Sequence, residues 1–344
     1  MERIVDILRN LESIPSPSGL SDRVISYIEN LAGTTDIGTR RTNKGGLVVG
    51  NHSSPKLVIS GHIDTLGAMV SGINSDGHLA LAKIGGPILP SFEGEYVTIK
   101  TSSGREFRGT LLLNNPAAHV NQEAEKTVRK TDNMHIRLDA EVGKKEDTEK
   151  LGIRIGDFIC FDPRFEYTDT GYIKSRFLDD KAGTAAMLDA MLDMGHSGLR
   201  DLPVAFFFSN FEEVGHGASA GLPETALEML VVDMGVVGEK VEGDESSVSI
   251  CVKDSTGPYD YSIRRRLTEL AEKNNIPYKL DVFPHYGSDG SAALAAGYDL
   301  RVGLIGPGVS ASHGMERTHL KGLVATRDLL LAYIRDTLKQ PIQS

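Results

Sequence analysis

The sequence predicts an α/β fold: a mixed, largely parallel sheet sandwiched by helices, with a small β-barrel domain inserted into it. Three observations predict it. Short apolar runs at 57–60, 204–209 and 229–232 read as fully buried strands. Such runs alternate with helical patterns in the first and last parts of the chain, which implies a sheet covered on both faces. Between about Ala68 and Asp162 the texture changes to short strand-like runs separated by Gly and polar turns. That spacing suits a small barrel or sandwich. Residues 1–67 and 163–344 are therefore assigned to one domain, and residues 68–162 to an insertion.

In chain order, Ile4, Val5, Ile7 and Leu8 recur at helical spacing, and the Pro/Ser stretch 13–19 ends that helix. Ser21 is placed to cap a second helix through Leu31, with Val24, Ile25, Tyr27 and Ile28 inward. Residues 39–50 hold a Lys-Gly-Gly turn and read as a hairpin. The strand at 57–60 runs into Gly61-His62-Ile63-Asp64. In the inserted block, 96–100, 107–113 and 157–161 read as strands, and the polar stretch 121–130 as a solvated helix or loop. His119 and His135 stand alone there and read as ordinary surface or core residues.

From Gly171 the α/β texture returns. The run 174–178 leads into Asp179-Asp180-Lys181, followed by an amphipathic helix over 181–194. The strand 204–209 reaches Glu212-Glu213, and 229–232 reaches Asp233. A strand at 247–253, a helix at 259–274, a strand at 278–283 and a short helix at 291–296 follow. The strand 301–305 leads through a Gly/Pro loop to Ser312-His313-Gly314, and a long helix over 320–338 closes the chain.

Of 344 residues, 40% are hydrophobic and 24% charged, a composition of globular proteins. A net charge of −10 argues against a nucleic-acid partner or an anionic membrane surface. Cys160 and Cys251 have no metal-type spacing and lie in apolar runs, so buried thiols are expected. The charged, amphipathic start lacks the apolar core of a signal peptide, and the expected location is the cytoplasm.

Five segments thus deliver His, Asp or Glu at a boundary between elements. Core packing does not explain that pattern. Hydrolytic two-metal sites hold ions about 3.5–4 Å apart, and zinc-like ions accept His nitrogen and carboxylate oxygen. Such a site needs one shared carboxylate, a His and a carboxylate for each ion, and a base that binds neither. His62 and Asp233 can serve one ion and Glu213 and His313 the other, with Asp179 shared. Glu212 is then left as general base, because adjacent residues in extended chain point to opposite sides. Asp64, two residues after His62, can accept a hydrogen bond from the imidazole.

Gly61-His62-Ile63-Asp64, Leu178-Asp179-Asp180-Lys181-Ala182-Gly183, Glu212-Glu213-Val214-Gly215 and Asp233 resemble the motifs of co-catalytic metallopeptidases of the deblocking and glutamyl aminopeptidase family. The best-known members of that family assemble as tetrahedral (TET) particles. The resemblance spans the whole chain and implies aminopeptidase action on small peptides. It implies His62, Asp179, Glu213, Asp233 and His313 as ligands of two divalent ions, Glu212 as base and Asp64 as support. It also implies a cis bond at Asp179–Asp180 and self-association, from dimer to dodecamer, with the inserted domain as contact surface or substrate gate. Zinc is the first choice of ion, with cobalt and manganese compatible. The segments 65–70, 254–261 and 311–319 resemble a subgroup associated with the osmolyte N-acetylglutaminylglutamine amide, a blocked dipeptide without a free α-amine.

The chain departs from the family pattern near its end, where the last ligand sits in Ser312-His313-Gly314 and His319 follows as an alternative. His216 is a second departure, close to the base. His285 and Asp289 fall where the family shapes its substrate pocket, and all three are candidate substrate contacts. Other chemistries fit less well. Gly217-Ala218-Ser219-Ala220-Gly221 matches a serine-hydrolase elbow, but the Glu pair intervenes between strand and Ser. A retaining glycosidase needs two carboxylates converging about 5 Å apart, which adjacent extended residues do not supply. A metal-bound scaffold without turnover would have no need of Glu212.

Overall fold

The apolar runs that carry no polar face become the middle of the sheet. In the computed structural model, which describes residues 2–35, 37–195 and 199–339, the chain divides into two compact units. One comprises Met1–Asp64 with Arg164–Ser344, the other Thr65–Pro163.

In the first unit Val204–Ser209, Leu57–His62, Glu228–Val232 and Arg301–Ser310 lie side by side and parallel within a 12-stranded sheet. Successive side chains point to opposite faces, and both sets are apolar. Ile59, Phe206, Phe208, Leu230, Val232 and Ile305 enter one core. Val58, Ala205, Phe207, Met229, Val231 and Leu304 enter the other. Burying each of the three Phe rings stabilises the fold by roughly 2–3 kcal/mol.

Helices Glu2–Glu12, Asp22–Gly33, Leu178–Gly195, Tyr261–Lys273 and Leu320–Lys339 close the first core. The short helix Asp289–Ala295 with Ala218, Leu222 and Phe283 closes the second. Antiparallel partners flank the parallel strands. The hairpin Thr39–Arg41/Leu47–Gly50 pairs with Val204–Ser209, and Val248–Lys253 pairs with Arg301–Ser310.

The second unit is a closed barrel of six strands in the order Gly67–Ile73, Leu79–Ile84, Met134–Leu138, Glu106–Leu113, Tyr96–Lys100 and Phe158–Phe161. Val70, Val97, Ile99, Leu111, Ile136 and Ile159 are buried in it. Closure removes the open sheet edges that such short strands would otherwise expose. No helix among the described residues is long and apolar enough to cross a membrane.

Some local expectations change. The helix expected to be amphipathic over 181–194 is buried on nearly every side, because it lies between the sheet, the first helix and the last. Its buried Asp189 is neutralised by Arg3 and by Arg327, the latter at 3.1 Å. Ser21 precedes its helix but makes no side-chain cap. Its hydroxyl donates to Gly45 O (3.0 Å) and accepts from Asn210 Nδ2 (2.9 Å). The strand expected at 174–178 is Tyr172–Ser175. Of the two alternatives for residues 121–130, helix or loop, the chain takes the loop, built of turns. The Gly/Pro segment after Ile305 is not a loop. Arg301–Ser310 runs straight through it, and Gly306 lets the strand pass against the Asp233 carbonyl, which a Cβ would overlap.

Candidate metal centre

His62 and Ser209 are register partners, and Val231 pairs with Ser60. His62, the turn after Ser209 and Asp233 therefore emerge together at the carboxyl edge of the sheet, where open α/β sheets bind ligands. His62 is 1% exposed. Its Nδ1 lies 2.9 Å from the main-chain oxygen of Asp64. A carbonyl only accepts, so in the neutral ring Nδ1 carries the proton and Nε2 presents its lone pair. Nε2 lies 3.2 Å from Asp179 Oδ1 and 3.8 Å from Glu212 Oε2.

The expected bond from imidazole to the Asp64 carboxylate is corrected here. The strand ends at His62, so the two-residue repeat no longer aims Asp64 at the ring. Its carboxylate stands 3.7 Å from Nδ1. It accepts instead from the main-chain N–H of Glu212 (3.1 Å) and Glu213 (3.3 Å) and from Ser18 Oγ (2.5 Å). Support passes through the Asp64 backbone to His62 and through its side chain to the Glu pair.

Glu212 and Glu213 are not extended either. They open a 3₁₀ turn, Glu212–Val214, entered through Phe211 at φ 74°. The turn still parts them. Glu213 Oε2 lies 3.6 Å from His313 Nε2, while Glu212 faces His62. His313 Nε2 also lies 3.6 Å from Asp179 Oδ2. His313 itself takes φ 63°. The peptide between Asp179 and Asp180 is cis. Buried Glu316 accepts from the main-chain N–H of Asp179 (3.1 Å) and of His313 (2.9 Å), bracing two segments far apart in sequence.

Two donor groups result: His62, Asp179 and Asp233, and Asp179, Glu213 and His313. Within each, the candidate donor atoms lie within 4.8 Å of one another. Asp179 belongs to both, and Glu212 to neither. The chemistry fits divalent cations. Asp233 Oδ1 and Glu213 Oε1 are buried without a hydrogen-bond partner, and a buried carboxylate oxygen without a donor is costly.

The electrostatics point the same way. Burial pushes the Glu212 and Glu213 carboxyls well above the usual carboxylate range. His62 opposes the shift; Asp233 adds to it at Glu212, and Asp179 at Glu213. Burial likewise raises Asp233 to about 7, and Asp180 and Glu316 well above their ordinary values. Burial would raise Asp179 too, but the His62 hydrogen bond and the His62 and His313 charges hold it low. Burial alone would lower His62. The Asp179 hydrogen bond and the Glu212, Asp233 and Asp64 charges hold it well above its ordinary value. So dense a cluster cannot ionise fully without added positive charge.

The remaining candidates lie elsewhere or act otherwise. Asp289 is not open to a substrate. It is buried and accepts from Ser60 Oγ (2.6 Å), Ser209 Oγ (2.8 Å) and Ala218 N–H (2.9 Å). Its partners lie 229, 80 and 71 residues away in the chain, which hid that role in the sequence. His285 is exposed. His216 is exposed and stacked on Phe211, with ring centroids 5.1 Å apart. The His319 ring packs edge-on against Tyr172, with Nε2 3.1 Å from Thr170 O and Nδ1 accepting from Lys321 N–H. It is in neither donor group.

Sequence reasoning assigned no task to Glu316, to buried Asp180, or to Tyr286, whose hydroxyl donates to Met234 O (2.9 Å) next to Asp233. A charged residue in an alternating strand was the one available signal, at Glu316. Cys160 and Cys251 are buried and not joined in a disulfide.

Residues 45–329 match the family described as M42 glutamyl aminopeptidase. A Bacillus subtilis (strain 168) protein named "Putative aminopeptidase YhfE" is 46% identical over 343 residues, covering 98% of this chain and 99% of its own. Aminopeptidase APDkam598 from the archaeon Desulfurococcus kamchatkensis superposes with a TM-score of 0.86 at 25% identity, covering 100% of this chain and 98% of its own. The Pyrococcus horikoshii TET1 peptidase, described as able to assemble into a tetrahedron or a large octahedral shell, superposes with a TM-score of 0.85 at 24% identity. That match covers 96% of this chain and 99% of the other.

Proposed function

The chain belongs to the M42 glutamyl aminopeptidase family, and on that premise we propose that it removes residues from small peptides at the centre built on Asp179. One observation carries the reading. Two donor groups share Asp179, and Glu212 stands 3.8 Å from His62 of the first while belonging to neither.

His62, Asp179 and Asp233 would hold one divalent cation, and Asp179, Glu213 and His313 the other. Zinc is the proposed ion, with cobalt and manganese accepted by the same donors. Such a pair supplies Lewis acidity toward the scissile carbonyl and lowers the pKa of water. Glu212 takes the proton of the attacking water and passes it to the leaving amine. Asp64 fixes the Glu212–Glu213 turn, and Glu316 fixes Asp179 against His313.

His313 rather than His319 is the last ligand in this reading, and the exposed residues His216 and His285 are left for substrate. Asp289 is withdrawn from that list because its oxygens are committed to the fold. The chain is proposed to self-associate through its barrel unit, a likeness to the assembling P. horikoshii enzyme supporting the idea. It is proposed to work in the cytoplasm, as two buried cysteines outside any disulfide allow.

Metal-loaded protein offered matched short peptides, with free, N-acetylated or C-amidated ends, tests the substrate class. Release of the first residue from free peptides is the expected outcome. Cleavage of blocked peptides alone would move the assignment to an amidated, acetylated dipeptide of the osmolyte kind. Glu212→Gln tests the base. The variant keeps both cations by elemental analysis and loses on the order of 10²–10⁴ in kcat. Normal turnover by it would remove Glu212 from the mechanism.

A further inference from the structure

The turn that carries Glu212 is held by Asp64, and the backbone that follows it is held at Ala218 by Asp289. A third anchor comes from the hairpin Thr39–Arg41/Leu47–Gly50, whose second strand pairs with the strand leading into that turn. Half-buried Lys44, at the hairpin tip, donates through Nζ to His216 O, to Gly217 O at 2.7 Å and to Ser219 Oγ at 2.8 Å. An ammonium has three N–H donors, and these three acceptors use all of them.

We propose that Lys44 is a positioning residue for the general base, its ammonium group tying the 216–219 backbone to the hairpin and thereby setting where Glu212 stands. This rests on the assignment of Glu212 given above.

The mechanical link is short. A Cβ on Gly217 would come within 3.1 Å of Glu212 Cα and Cβ, so the two backbones are in contact. His216 N–H donates to Phe211 O at 3.1 Å, and Gly215 N–H to Glu212 O at 2.7 Å. Residues 211–216 are thus closed into a loop around the base, and Lys44 holds the closing end. If that end is free, Asp64 still holds the Glu212 N–H, but the backbone packed behind Glu212 can withdraw.

The same contacts account for the serine-hydrolase-like motif at 217–221. Ser219 Oγ donates to His216 O (2.8 Å) and accepts from Lys44. Burial lowers the Lys44 pKa, but an ammonium has no lone pair with which to take a hydroxyl proton. Ser219 is a strut of the clamp.

The test compares the native protein with Lys44→Met and with Lys44→Cys before and after alkylation by 2-bromoethylamine, which rebuilds an ammonium at nearly the native length. The native cysteines are buried, so alkylation falls on the introduced thiol. Hydrogen exchange of the 211–219 segment, bound metal, kcat and KM are read on each. In Lys44→Met, exchange of that segment rises about tenfold or more, as loss of charged hydrogen bonds predicts. Bound metal stays at the native level, and kcat falls about 10–100-fold with KM within about twofold. Aminoethylation restores both exchange and kcat.

Unchanged exchange in Lys44→Met, or no recovery on aminoethylation, overturns the proposal. Should Lys44→Met not fold, Lys44→Gln is read against the same expectations. Exchange needs no turnover. A native protein that cleaves no peptide would sink the assigned function, while the exchange result would still decide for or against the clamp.

Discussion

Asp64→Asn changes one atom and reverses one hydrogen-bonding sense. The native carboxylate accepts from two main-chain N–H groups and one hydroxyl. An amide in its place turns an NH₂ toward at least one donor that needs an acceptor. Leaving such a buried donor unpaired costs about 1–3 kcal/mol. The Asp64 carbonyl that orients His62 is main chain and survives the change. Metal binding by His62 is therefore retained, while the Glu212–Glu213 turn loosens. The expected result is a melting temperature several degrees lower, full metal content and a kcat reduced tenfold or more. A variant as active as the native protein would show that the turn holds its shape without Asp64.

Elements were legible where one residue's pattern sufficed. The apolar runs 57–60, 204–209 and 229–232 read as buried strands, and each lies in one. Their ends pointed to the site because a charged residue directly after an apolar run is unusual whatever the neighbours are. What failed were statements about direction. Glu212 and Glu213 sit in a 3₁₀ turn whose first N–H groups are held by Asp64, 148 residues from Glu212, and no local pattern carries such a contact. The segment after Ile305 misled for a related reason. Gly306, Pro307 and Gly308 look like a loop, but glycine in a strand also marks close backbone approach. Here the approach is to Asp233, whose N–H donates to Ile305 O at 2.9 Å. Gly306→Ala would drive a methyl group into the Asp233 carbonyl. The strand must shift, at a cost of about 3 kcal/mol or more. Calorimetry should show that loss, and metal analysis should show weaker retention of the cation held by Asp233. A variant of native stability and native metal content would mean that the close approach does not position Asp233.

At the scale of the molecule, the site sets how stability depends on pH, and the cations decide its sign. In the metal-free protein Asp233 has its carboxyl raised to about 7, against about 3.9 for an unfolded Asp. Between those values the folded chain holds a proton that the unfolded chain has released, so stability falls as pH rises through the window. Asp180, Glu212, Glu213 and Glu316 are shifted in the same direction. Raised His62 adds stability that is present below its ordinary value and lost as pH climbs through its folded one. Within the site Asp179 runs the other way, and its contribution is lost on acidification below the ordinary carboxylate range. Cations reverse the picture. They bind the ionised carboxylates and the neutral imidazole, so their affinity grows with pH. Each site saturated at a hundredfold over its dissociation constant adds about 2.7 kcal/mol. Melting temperatures of chelated and metal-loaded protein, measured from pH 5 to pH 8, should therefore diverge. The chelated protein loses stability toward pH 8, and the loaded one holds or gains. A gap that stays constant or narrows with pH would mean that the carboxylates around Asp179 are not where the cations bind.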